Sequence, residues 1–388
     1  MLLTIVLVGL QVGLLALVAW NVGTSLWGLR TPAPAAGGRR RRRLRVVVPA
    51  HDEAAVIGAL TADLARQTYP SDLTRVVVIA DRCEDNTAVV AGRRAEVAER
   101  VDGTGGKGAA LAWYLDREPL DDGEALVVLD ADTRVPTHLL ARFADELDEG
   151  HHVLQAYLDA ADPHGSVLAT ASALTYWAGN RAVQLARRNL GWSCDLGGTG
   201  MCITAGALGA AGGFSDDLAE DQALTARLVL AGYRAVWLHD LRVQDAKPRH
   251  LGVAVHQRAR WKVGKRAVAR RYVVRLLRAS SQRREIAPAD LALRLVQPGR
   301  SLVAVVTGVL TAMAVALGPA GWLLPWPVWA AALATQVALP AVFLAVDGVP
   351  PRYLVRYPFI TVIALLTIPA RIVGGRVRGW YHTPHEPP

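Results

Sequence analysis

The stretch Ala125-Leu-Val-Val-Leu-Asp130-Ala-Asp132-Thr133 decides how the rest of the chain is read. Leu126, Val127, Val128 and Leu129 follow one another with no polar alternation, the pattern of a strand buried on both faces inside a parallel sheet. The run then stops on two carboxylates one residue apart. Open α/β sheets bind ligands in the crevice beyond the carboxyl ends of their strands, and Asp130 and Asp132 fall there. Side chains at i and i+2 of an extended backbone point the same way, so both carboxylates can face one hard cation, Mg2+ or Mn2+, together with the phosphate such a cation carries. An isolated Asp-x-Asp is ordinarily an acidic surface turn, and only the rest of the chain argues otherwise.

Outward from this strand, residues 44 to about 241 alternate strand-like and helix-like patterns, which predicts an α/β domain with a largely parallel sheet. Residues 45–49 read as a first strand, followed by His51-Asp52-Glu53 and an amphipathic helix to about Arg66. Residues 75–80 read as a second, running into Asp81-Arg-Cys-Glu-Asp85-Asn-Thr87. Asp85 or Asn86 can cap the helix that follows, whereas capping does not account for Asp81. Gly103-Thr-Gly105-Gly106-Lys107-Gly108 opens a helix at Ala109: glycines let backbone approach a phosphate, a helix amino terminus favours an anion, and lysine adds charge. It is not a Walker A loop, because Gly108 stands where Ser or Thr is required.

Further on, residues 153–158 read as a strand, residues 166–190 as one long helix, and residues 234–239 as a last strand. Gly197-Gly-Thr199-Gly200-Met201 suggests backbone packed tightly against a ligand or another strand. Glu220-Asp221 falls in the first turn of a helical segment, where the dipole favours acids for structural reasons alone.

The ends of the chain differ in kind. Residues 1 to about 20 carry no charge and are long enough to span a bilayer, and Arg39-Arg40-Arg41-Arg42-Arg43 follows, which by the positive-inside rule keeps the central domain in the cytoplasm. A cleaved signal peptide is disfavoured because no Lys or Arg precedes the apolar core. Residues 256–278 predict a basic helix on an anionic membrane face, with Val263, Ala267, Val274 and Leu277 on one stripe. Three apolar segments follow, at about 301–317, 322–346 and 353–372. With one span at the amino end this count puts the tail outside, against the pull of Arg371, Arg376 and Arg378. The expected organisation is a membrane helix over 1–28, a basic linker over 29–43, a cytoplasmic domain over 44–255, interface helices over 256–295, about three membrane helices over 296–374 and a tail over 375–388.

A net charge of +9, much of it arginine beside apolar segments, points to anionic lipid and a phosphorylated ligand before nucleic acid. Cys83, Cys194 and Cys202 are too few and too unpaired for a disulfide scaffold or a zinc site, and fit a reducing compartment. Membrane segments with almost no buried charge argue against a transporter.

Taken in order, Val48-Pro49-Ala50-His51-Asp52-Glu53, Asp81 with Asp85-Asn86-Thr87, Gly106-Lys107-Gly108, Asp130-Ala131-Asp132, Gly198-Thr199-Gly200, Glu220-Asp221 and Gln257-Arg258-Ala259-Arg260-Trp261 resemble the membrane-embedded family 2 glycosyltransferases, the group of cellulose, hyaluronan and chitin-oligosaccharide synthases and of ceramide glucosyltransferase. Asp52 stands where that family usually has Asn, and Ala219 where Thr is commoner. The resemblance implies a nucleotide-diphospho-sugar transferase (GT-A type) fold with transmembrane helices at both ends, at the cell membrane. It implies an inverting, metal-dependent transfer of a hexose or N-acetylhexosamine from a UDP-sugar to an acceptor hydroxyl. Polysaccharide or oligosaccharide synthesis is the first expectation, and a single addition to a lipid the alternative.

The residues this implies are Asp221 as general base with Glu220 beside it, and Asp132 with Asp130 on the cation. Pro49, Glu53, Asp81, Lys107, Asp130, Thr199, Gln257, Arg258, Arg260 and Trp261 would bind the donor, with Glu53 and Asp81 on the nucleoside side, Lys107, Arg258 and Arg260 on the phosphates and Trp261 against the sugar.

Overall fold

A computed structural model describes residues 1–357 apart from 36, 39, 40, 165 and 246–250, and without the side chains of 251 and 253–256. Seven strands form one sheet: β1 (Arg43–Ala50), β2 (Thr74–Asp81), β3 (Glu96–Arg100), β4 (Glu124–Val128), β5 (Val153–Ala160), β6 (Met201–Thr204) and β7 (Ala235–Asp245), in spatial order β3-β2-β1-β4-β6-β5-β7. Every pairing is parallel except those of β6, which runs antiparallel to both β4 and β5. Neither β3 nor β6 is anticipated by the sequence patterns above. β6 has only four residues directly after the glycine run, too few for a period to register.

The helices are α1 (Leu2–Leu26), α2 (Ile57–Ala65), α3 (Thr87–Ala91), α4 (Lys107–Arg117), α5 (Leu139–Asp148), α6 (Val167–Gly179), α7 (Ala186–Asn189), α8 (Ala205–Ala210), α9 (Glu220–Leu230), α10 (Leu251–Arg283), α11 (Ile286–Val296), α12 (Arg300–Leu317), α13 (Trp326–Val346) and α14 (Pro351–Leu354). The unbroken apolar runs of β1, β2 and β4 have a direct cause, because helices cover both faces of the sheet. Val47, Val77, Ile79, Leu126 and Val128 pack with Leu111, Tyr114, Leu174 and Leu224 on one face. Val46, Val48, Val78, Val127 and Leu129 pack with Ile57, Leu60, Leu140 and Phe143 on the other.

The expected single helix over 166–190 is α6 and α7 joined by a π-helical stretch, Asn180–Leu185. There Asn180 donates its side-chain amide to the Leu158 carbonyl at 2.9 Å. The basic helix is longer than expected, Leu251–Arg283, and it packs by the face opposite to the stripe read from sequence. Val268, Tyr272 and Leu276 are buried against α9 and α11, which leaves Val274 and Leu277 55% and 48% exposed.

Among the described residues, three helices are long and apolar enough to cross a membrane: Leu2–Leu29, Arg300–Leu317 and Trp326–Val346. Gln11, polar in the middle of the first, has its own use. Its amide donates to the Trp322 carbonyl (2.7 Å) and accepts from the Leu324 N–H (3.0 Å), which ties α1 to the α12–α13 connection. The third expected carboxyl-terminal segment, 353–372, falls mostly outside the described residues, as do the tail and its arginines.

Candidate active site

At the end of β4 the Leu129 N–H still donates to the Val47 carbonyl (3.3 Å), after which the chain turns and the Thr133 N–H donates to the Asp130 carbonyl (3.1 Å). This turn presents Asp130 and Asp132. It is pinned from below by Thr199, whose hydroxyl accepts the Asp130 N–H at 3.0 Å and lies 2.9 Å from the buried hydroxyl of Thr133. Thr199 is itself buried, and its hydroxyl pins the turn.

Gln155 of β5 in turn holds the glycine loop. Its Nε2 donates to the Thr199 carbonyl (2.9 Å) and its Oε1 accepts the Gly197 N–H (2.8 Å). Gly198 and Gly200 adopt φ of +85° and +65°, which a side chain would strain. Sequence reasoning missed Gln155 and Thr133. The available signal was a lone glutamine inside the apolar run of β5.

Lys107, the first residue of α4, reaches the same place. Its ammonium pairs with Asp130 and donates to the Gly198 carbonyl at 2.8 Å. Burial opposes that charge, but the carboxylates of Asp130, Glu220 and Asp221 outweigh it and hold the ammonium above its usual range. The next residue must be glycine, since a Cβ on Gly108 would overlap the Ser215 carbonyl oxygen and lie 3.0 Å from the Glu220 Cβ. This contact sets the amino ends of α4 and α9 against each other.

Glu220 and Asp221 open α9. Burial, reinforced by the neighbouring Glu220 charge, pushes the Asp221 carboxyl up to about 7. Burial also raises Glu220, while Lys107 and Arg260 pull it back. The basic helix therefore belongs to the same cleft. A Cβ on Gly264 would stand 2.7 Å from the Cβ of Ala219, the residue before Glu220, so α10 lies directly on the start of α9. Along α10, Gln257, Arg258 and Arg260 are half-buried and Trp261 is 37% exposed. Burial lowers the Arg258 guanidinium from its usual value, with Tyr176 of α6 opposing.

On the other side of the turn, Glu53 is pushed up to about 8 by burial and then by the charges of Asp132 and Asp130. Its electrostatic neighbours are the Asp-x-Asp pair together with Asp85 and Asp52. This set of half-buried carboxylates supplies hard oxygen donors and an excess of negative charge, and it fits Mg2+ or Mn2+. Pro49, half-buried, lies one residue before the end of β1, opposite Ile79.

Asp81, at the end of β2, is buried and paired with Arg100 (3.0 Å) and Arg82 (3.2 Å), partners that sequence reasoning did not supply. Beside it, Asp52, Cys83 and Asp85 bring three potential ligand atoms within 4.8 Å of one another. The Asp52 carboxylate accepts the Glu84 N–H (2.7 Å), and Asp85 accepts the N–H groups of Ala54 (3.0 Å) and Thr87 (2.9 Å). These bonds staple the loop, in which Asp52 and Arg82 hold φ of +54° and +53°.

A mannosyltransferase from Pyrobaculum calidifontis, solved with GDP-Man and Mn2+, superimposes with a TM-score of 0.60 over 96% of this chain and 98% of its own, at 20% identity. That likeness establishes a GT-A fold. The beta-monoglucosyldiacylglycerol synthases of Trichormus variabilis and Nostoc sp. are each 30% identical over 235 residues, 56% of this chain and 48% of theirs. The enzyme of the same name from Synechocystis sp. is 27% identical over 239 residues. The chain spans about half the length of the curated relatives it matches. The model of the family described as "Glycosyltransferase like family 2" matches residues 42–264, from the start of β1 to the Gly264 contact with α9. The chain belongs to the family 2 glycosyltransferases.

Proposed function

We propose that this protein transfers a hexose from a nucleotide diphosphate sugar, with UDP-glucose the first candidate, to the hydroxyl of a diacylglycerol-type lipid at the cytoplasmic face of a membrane. The lipid acceptor is supported by the names of the relatives and by the three apolar helices. Of the two acceptor classes the sequence leaves open, it is favoured over a growing glycan for that reason.

The observation that carries the reading is the Lys107 ammonium, which holds together the Asp130 carboxylate, the Gly198 carbonyl and the charges of Glu220 and Asp221. It joins the strand-end turn, the glycine loop and α9 in one cleft. Asp132 and Asp130 would hold Mg2+ or Mn2+, which neutralises charge developing on a departing diphosphate. Lys107 and Arg260 add cationic contacts on the same phosphates, where the arginine fork suits two oxygens at once.

Asp221 receives the acceptor proton. Its position near 7 suits a base at neutral pH, and a base opposite the leaving group gives single displacement with inversion. Trp261, partly exposed, offers a flat face for a sugar ring. The test is incubation in vesicles with labelled UDP-glucose, UDP-galactose, UDP-GlcNAc and GDP-mannose, with Mg2+ or Mn2+ and diacylglycerol. One glycolipid is the expected product. An oligosaccharide ladder, or no transfer from any donor, would refute the lipid reading.

A further inference from the structure

A cluster of buried charge lies where α1, α7, α11 and α12 meet, and through Asp195 its field reaches Asp221. Asp290 of α11 is saturated. Its oxygens accept from Arg187 (2.8 and 3.2 Å), from Arg294 (3.0 Å) and from the Trp20 indole (3.2 Å). Asp195 is taken by Arg294, and Lys265 of α10 also faces it.

Arg300 opens α12 and has no carboxylate partner among the described residues. Its Nη1 donates to the Ser25 hydroxyl at 2.6 Å, while Nη2 is closed off with no hydrogen-bond partner. Among the described residues of this cluster, Arg187, Arg294, Arg300 and Lys265 face Asp290 and Asp195, so positive charge is left over. A buried cation without a counter-charge is strongly destabilising. α12 adds to the field, because its amino terminus has Gly299 as N-cap and no side-chain cap.

The position of the cluster matters as much as its charge. Arg300 begins one candidate span and Ser25 lies near the end of another, so both are at the level where a bilayer carries its headgroup phosphates. Trp20 and Trp192 stack at 5.9 Å close by, as interfacial aromatics do. Arg300 as a whole residue remains partly exposed, although its Nη2 is shut off.

The geometry points to a site for one net-negative phosphate group between the end of α1 and the start of α12, with Arg300 as its counter-charge. The occupant is an anionic phospholipid headgroup or a free phosphate, bound as a structural partner and not as a sugar acceptor. Unlike the sugar-transfer reading, this site is tested by binding, so either can fail without the other.

The full chain would be placed in nanodiscs of phosphatidylglycerol, in nanodiscs of phosphatidylcholine, and in the latter with added inorganic phosphate. Retained lipid is then counted by native mass spectrometry and the unfolding temperature recorded. Wild type should keep phosphatidylglycerol and unfold a few degrees higher with it than with phosphatidylcholine. Arg300→Gln should retain about tenfold less of that lipid, equivalent to roughly 1.4 kcal/mol, and lose the temperature difference, while Arg300→Lys keeps both. Ser25→Asp places a carboxylate beside the guanidinium and should make the protein indifferent to lipid charge. It decides the matter if Arg300→Gln does not fold. A stabilising response to inorganic phosphate alone identifies a free anion as the occupant. Equal behaviour of wild type in all three conditions, or undiminished lipid retention in Arg300→Gln, would overturn the site.

Discussion

Asp221 and Glu220 are adjacent carboxylates at one buried helix start, and their mutual repulsion is a measurable quantity. If the Asp221 carboxylate is the base, turnover falls as pH drops through about 7 and levels off above it, because protonation removes the acceptor. Glu220→Gln removes a like charge and should move that limb to lower pH. A pH profile of kcat for the two proteins checks this, and an unmoved limb would separate the residues. Asp132→Asn should weaken Mn2+ binding, read by electron paramagnetic resonance in the presence of UDP.

At this scale the sequence is informative where chemistry is local. An apolar strand ending on two carboxylates, and two acids opening a helix, are visible without a fold. Thr199 stands out as a candidate, but its contacts are not visible, nor is Gln155. Their roles rest on bonds to Asp130 and Gly197 across 69 and 42 positions, which no local pattern encodes.

Between elements, the cleft depends on close approaches that only glycine allows. Gly108→Ala forces a Cβ into the Ser215 carbonyl and pushes α4 from α9, which should lower stability by about 1–3 kcal/mol and reduce activity by more than the folded fraction accounts for. Thermal unfolding alongside initial rates would show it. Gly264→Leu should act similarly by lifting α10 off Ala219.

The elements legible in the sequence are those with long unbroken or clearly periodic patterns: β1, β2, β4, β5, the start of β7 and the apolar helices. β6 was hidden by its length, and the π-helical stretch by having the same apolar spacing as an ordinary helix. The α10 stripe was read correctly as apolar. Expected on a membrane face, it is left uncovered because α9 and α11 pack on a second stripe, Val268, Tyr272 and Leu276, on the opposite face.

For the whole molecule, the uncovered stripe of α10 would, on the proposed function, lie against the bilayer beside the cleft. Val274→Asp with Leu277→Asp should leave unfolding in detergent unchanged and lower transfer to vesicle-borne acceptor several-fold, with recovery when the acceptor is supplied in mixed micelles.

The central claim is that the strand-end aspartates and the α9 acid serve one reaction from opposite sides of a single cleft. Asp221→Asn tests it most directly when donor binding and transfer are measured on the same preparation. The account predicts that Kd for UDP-glucose with Mn2+ stays within about threefold of wild type while turnover falls by roughly 100 to 10,000-fold. Turnover near wild type, or loss of donor binding in step with loss of turnover, would contradict it.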